Sequence, residues 1–80
     1  MIDQSFPYFT VSKRYGIPYD VVMAVVERIE RAVSSATCLS ERNGLAATAV
    51  GQQPSLTEGQ RYAVYWAWRF EDERRRGSGL

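Results

Sequence analysis

Apolar positions along the chain fall into three punctuated blocks. The clearest begins at Tyr19 and reads Y-D-V-V-M-A-V-V-E-R-I-E-R-A-V-S-S-A. At about 100° per residue, Val21, Val22, Val25, Val26, Ile29, Ala32, Val33 and Ala36 share one side, while Met23, Ala24, Glu27, Arg28, Glu30 and Arg31 share the other. The β-branched valines lower helix propensity, but the period predicts a helix over roughly 19–35 that draws its stability from burial. Glu27 and Arg31 form an i,i+4 pair on its polar side.

The block before it, 5–15, is short and aromatic. Ser5 is a cap candidate, Pro7 suits a first helical turn, and Phe6, Phe9 and Tyr15 are expected to supply the apolar side. A strand also fits so aromatic a stretch. Gly16 reads as a helix stop, reinforced by Pro18. Between 36 and 55 two readings stand. Asn43-Gly44 matches the two-residue turn of a β-hairpin, whereas the alanines of 45–50 favour a short helix or ordered loop.

The last block opens on two capping-box candidates, Ser55 with Glu58 and Thr57 with Gln60, and predicts a helix to about Arg76 that stops at Gly77, with 77–80 as a frayed tail. Glu71–Arg75 and Asp72–Arg76 are its i,i+4 pairs. Its centre, Y-A-V-Y-W-A-W-R-F, is apolar nearly all round. Tyr62, Ala63, Trp66, Ala67 and Phe70, with Leu56, are expected to face the core; Val64, Tyr65 and Trp68 then face away. Either the first helix covers Tyr65 and Trp68, or these two stand exposed as an anchor with Arg69 nearby. Tyr, Trp and Arg are the residue types that carry most binding energy at interfaces. The expected fold class is all-α: one domain over 1–76, a bundle of three to four helices ending in a long aromatic helix.

Eighty residues leave room for one core only, and Lys plus Arg exceed Asp plus Glu by one. So even a balance points away from a strongly basic nucleic-acid binder. There is no histidine, which removes the commonest general base and metal ligand. Cys38 is alone, so it forms no internal disulfide; it is expected to be an inert, partly buried small hydrophobe in a reducing, cytoplasmic setting. No signal-peptide pattern or membrane-length apolar run is visible. Glu71, Asp72 and Glu73 are splayed around a helix end, and no phosphate loop or metal-ligand spacing accompanies them. The expectation is a non-enzyme that needs no cofactor or metal and meets no membrane.

The stretch from Tyr8 to Glu27 resembles a helix-turn-helix unit, with Ser12 where the helices approach, Gly16 at the turn, Ile17 as its buried neighbour, and Val22 and Val25 on the second helix. The resemblance implies DNA-reading positions at Pro18, Tyr19, Asp20, Met23, Ala24 and Glu27. That set holds two carboxylates and no cation, the wrong charge for a groove lined by phosphates. A DNA regulator would instead draw on Lys13, Arg14, Tyr19, Arg74, Arg75 and Arg76, with dimerisation collecting two copies of each. In size and style the chain also resembles the small inhibitors of phages and other mobile elements, anti-CRISPR proteins among them; this implies occlusion of a partner protein. The favoured expectation is therefore a protein-binding module that presents Tyr65, Trp68, Arg69, Tyr19, Met23 and Glu27, with a homodimer as one form. The DNA regulator is the alternative.

Overall fold

The computed structural model describes residues 7–77 and arranges them as four helices: α1 (Tyr8–Tyr15), α2 (Tyr19–Val33), α3 (Leu39–Gly51) and α4 (Glu58–Gly77). The protein is all-α. Ser5, Phe6 and the tail 78–80 lie outside the described residues.

α1 starts at Pro7 without a side-chain cap. It ends at Gly16, whose left-handed φ of 68° lets the backbone N–H groups of Gly16 and Ile17 both return to the Ser12 carbonyl. The Ser12 hydroxyl donates to the Ile17 carbonyl, which clamps the turn before Pro18 opens α2. Tyr8 and Val11 form the inner side of α1, not Phe9 and Tyr15, which are exposed. So short a helix offers a single narrow inward stripe, and the i,i+3 pair Tyr8/Val11 occupies it.

α2 follows its valine period. Val22, Val25, Val26, Ile29 and Val33 are buried, and Met23 is half-buried against the same core. It ends two residues earlier than expected, where the Ser34 hydroxyl bonds the Arg31 carbonyl. The exposed Glu27–Arg31 pair forms at 3.6 Å.

The hairpin reading of Asn43-Gly44 is overturned, because both residues lie inside α3. An Asn-Gly turn needs flanking segments that pair as strands. Here Ala46 and Val50, one turn apart, are both buried, so the helical period has a core to meet. Thr37 donates its backbone N–H and its hydroxyl to Glu41, which fastens the first turn. Cys38 is exposed, contrary to expectation, because it sits at the N-cap of α3, outside the helical stripe that faces the core.

At the start of α4 the Thr57–Gln60 box forms and the Ser55–Glu58 alternative does not. The Thr57 N–H donates to Gln60 Oε1 at 2.9 Å, and the Gln60 N–H donates to Thr57 Oγ1 at 3.1 Å. The Gln60 side chain also donates to the Tyr15 carbonyl, which ties the start of α4 to the end of α1. α2 and α4 each touch all three other helices, and α1 and α3 do not meet. The molecule is flat, 34 × 33 × 17 Å, about two helix layers thick. A helix in such a slab has one face against its neighbours and one face toward water.

Candidate protein-interaction surface

The inner face of α4 is rotated from the expected one: Ala67 and Leu56 are buried as expected and Ala63 packs on the core, but Tyr62, Trp66 and Phe70 are exposed. Val64, Ala67 and Trp68 are buried, and Tyr65 is half-buried. Trp68 is fully sealed at 0% exposure, so it is no surface anchor. Its Nε1–H donates to Glu30 on α2 at 2.9 Å, and the Arg42 guanidinium of α3 sits 5.5 Å from its ring centre. Arg42 in turn grips Asp72 with two hydrogen bonds of 3.0 and 2.7 Å, and Arg76 adds a third at 3.1 Å. Asp72 is buried, and its bonds to Arg42 and Arg76 hold its carboxyl below the usual carboxylate range. Arg75 bonds Glu30 at 3.0 Å. Nearby, burial and then the Glu71 carboxylate push the Tyr8 phenol up. The indole N–H and the Asp72 carboxylate both need partners once buried, and only this face meets Glu30 and Arg42.

The expected pairing of Glu71 with Arg75 is also corrected. Glu71 bonds Arg74, three residues on, and Arg75 turns to Glu30 across the interhelix gap. All three C-terminal arginines thus already meet carboxylates. Arg74 meets Glu71, Arg75 meets Glu30 and Asp72, and Arg76 meets Asp72.

The opposite face carries the aromatic surplus. Tyr62, Trp66 and Phe70 follow one another at i,i+4 and are 65%, 43% and 50% exposed. Sequence reasoning put these three in the core. The signal that distinguishes them is their row of three rings at one spacing. Trp66 is held in place on several sides. The Arg69 guanidinium lies 4.6 Å from its ring centre, and Tyr62 and Tyr65 approach edge-on at 5.9 and 5.4 Å. Arg69 is anchored by Glu73 at 3.1 Å, and its buried Nε has no hydrogen-bond partner, which fits a guanidinium spent on a ring face.

Grooves flank this ridge on both sides. One, of about 490 Å³, runs between α4 and α1, floored by Ala63 and Ala67 and walled by Thr10, Arg14 and Tyr15. The other, of about 410 Å³, runs between α4 and α3 past Ala47, Gly51, Glu58 and Arg61. Of the residues expected to meet a partner, Tyr65 and Arg69 support the ridge from its side. Tyr19, Met23 and Glu27 instead line a separate shallow hollow on α2 with Asp20 and Ala24. Phe9 and Tyr19 touch there at 6.2 Å, with Lys13 over the Phe9 ring at 5.6 Å. Arg14 faces the α1–α4 groove, so the cations named for DNA do not form one cluster with Tyr19.

No helix among the described residues is long and apolar enough to cross a membrane. No family model, curated protein or solved structure matches this chain.

Proposed function

We propose that this chain is a small non-catalytic protein-binding module that works by pressing the Tyr62–Trp66–Phe70 ridge against another polypeptide and occluding the surface it covers. The mode is that of the phage-encoded inhibitors it resembles in size. One observation carries the reading. A flat helical protein seals one indole, Trp68, in its core and leaves a second, Trp66, proud between two apolar grooves. A ring pinned by Arg69 and two tyrosines loses little freedom on binding, so its burial is retained as affinity.

The test is capture from a lysate of the source cells, before and after nuclease treatment, by the parent chain and by Trp66→Ser. A protein retained after nuclease by the parent and lost from the variant supports the reading. Capture that ignores the substitution removes it.

The DNA reading keeps one observation in its favour: the α1–Gly16–α2 turn, with Tyr19, Asp20, Met23, Ala24 and Glu27 on an open face. Its acidic pair and the ion-paired Arg74–Arg76 run oppose it. Fluorescence anisotropy on random duplex at low salt decides. Absence of binding below about 10 µM eliminates it, since even non-specific contacts are tight under those conditions.

A further inference from the structure

The outer face of α4 is built to fit itself, and we propose that two copies of this chain pair through it about a two-fold axis beside Trp66. This deepens the docking reading above, and rests on it, by naming one occupant of the ridge.

The argument starts from the row of exposed residues at i,i+4: Glu58, Tyr62, Trp66, Phe70 and Arg74. Read about its middle, the row is complementary to its own reverse. A two-fold axis beside Trp66 brings Tyr62 next to the second copy's Phe70, and Glu58 toward its Arg74. Two-fold interfaces require that kind of match, with one patch meeting its own inverse. The charges are suited to it. Glu58 makes no ion pair among the described residues. Arg74 donates to Glu71 through Nε and Nη2, which leaves Nη1 for a carboxylate arriving from outside.

Shape agrees with charge. One residue on from Glu58, Tyr62 and Trp66 comes the row Gly59, Ala63 and Ala67, three of the four smallest side chains on the helix. Ala63 and Ala67 floor the groove between α4 and α1. Ridge and groove therefore lie side by side, so a two-fold rotation seats each ridge in the other copy's groove. Rows at i,i+4 run oblique to the helix axis, and two that interlock cross at about 50°. The rings present on the order of 300 Å² per copy, taking roughly 150–250 Å² for each whole aromatic side chain. A standard interface buries about 800 Å² per partner, so even with Thr10, Arg14 and Tyr15 added the pair belongs to the small, reversible class. A reversible dimer would keep the ridge covered until a better partner displaces the second copy.

Sedimentation equilibrium on the purified full chain tests this, with circular dichroism melts as the fold control. The expected result is a monomer–dimer equilibrium with a midpoint on the order of tens of micromolar. Trp66→Ser is expected to weaken it at least tenfold. Glu58→Arg and Arg74→Glu should each weaken self-association, because each puts like charges together twice. An equimolar mixture of these two variants should recover dimer, since a mixed pair sets opposite charges against each other at both ends of the ridge. A monomer at every concentration to about 500 µM, or a dimer indifferent to Trp66→Ser, overturns the proposal and leaves the capture experiment to judge the ridge as a partner site. A mixture that associates no better than its components overturns the antiparallel pairing.

Discussion

Trp66 and Trp68 stand two residues apart on one helix and lead opposite lives. Trp68 has its N–H bonded to Glu30, Arg42 over its ring and no contact with water. Trp66 also lies under a guanidinium, but Arg69 comes from its own helix and the ring still meets solvent. Two residues turn a helix by about 200°, so the pair had to divide between faces. What decided the division was not hydrophobicity, which is equal, but the polar groups alongside. Asp72 shares a side with Trp68 and, being buried, needs a cation, which Arg42 of α3 supplies at 2.7 Å. Beside Trp66 the buried polar atom is Arg69 Nε, which lies toward the ring and has no hydrogen-bond partner. The inner face is defined by polar groups that find their partners on α2 and α3, the outer face by rings and charges left toward solvent.

The sharpest way to break this comparison is Trp68→Ala. Removing a sealed indole should cost about 3–5 kcal/mol, lost transfer energy plus the cavity left behind. A domain of this size holds only roughly 4–12 kcal/mol in all. Urea denaturation should show the variant largely destabilised. A cost under about 1 kcal/mol would mean that Trp68 is not the centre of the core.

Asp72→Asn comes next and attacks the reason for the division. It leaves Arg42 and Arg76 facing an uncharged amide near the indole. Because both arginines reach solvent, the loss should be about 1–3 kcal/mol, less than for a fully buried pair. The pH dependence has a definite sign. The carboxyl of Asp72 lies lower when folded than its ordinary 3.8, so its contribution is complete above about that value. It fades as pH falls through the folded value. Glu41 is also held low, by its hydrogen bonds from Thr37, so the informative quantity is the parent–variant difference. That difference should be constant at neutral pH and shrink on acidification below about pH 4. A gap that persists undiminished at pH 2 would assign the loss to shape instead of charge.

The same residues explain what could be read in advance and what could not. The Gly16 stop, the valine face of α2 and the Thr57–Gln60 box are local devices, complete within a few residues, and they stand where the sequence put them. The inner face of α4 is set by Arg42 and Glu30, 30 and 38 residues upstream of Asp72 and Trp68. No period within the helix carries that information. An apolar-all-round helix offers two faces of similar hydrophobicity, and nothing local to it says which one meets Arg42 and Glu30. α3 was ambiguous for a related reason. Asn43-Gly44 is a turn signal by local chemistry, and its helical state is fixed by Ala46 and Val50 meeting the core.

Thr57→Ala should have a smaller effect that falls on both faces equally. It removes one arm of the capping box at the start of α4, a change of about 1 kcal/mol. The helix axis and its rotation should not change. Acrylamide quenching should then report the same two populations of indole, one shielded and one accessible, in variant and parent. A shift of Trp68 toward the accessible population would show that the box sets the rotation of α4 as well as its stability.

The smallest expected effect belongs to Trp66→Ala, measured well below the concentration at which two copies would pair. The variant forfeits partial burial against Tyr62, Tyr65 and Arg69. Alanine returns up to about 0.5 kcal/mol in helix propensity, because an aromatic side chain loses rotamer freedom against the preceding turn. The net should stay under about 1 kcal/mol, in the range of ordinary surface changes. Acrylamide should then find only the shielded Trp68. A loss as large as that of Trp68→Ala would place both indoles in one cooperative core, and the outer face of α4 would cease to be a surface available to any partner.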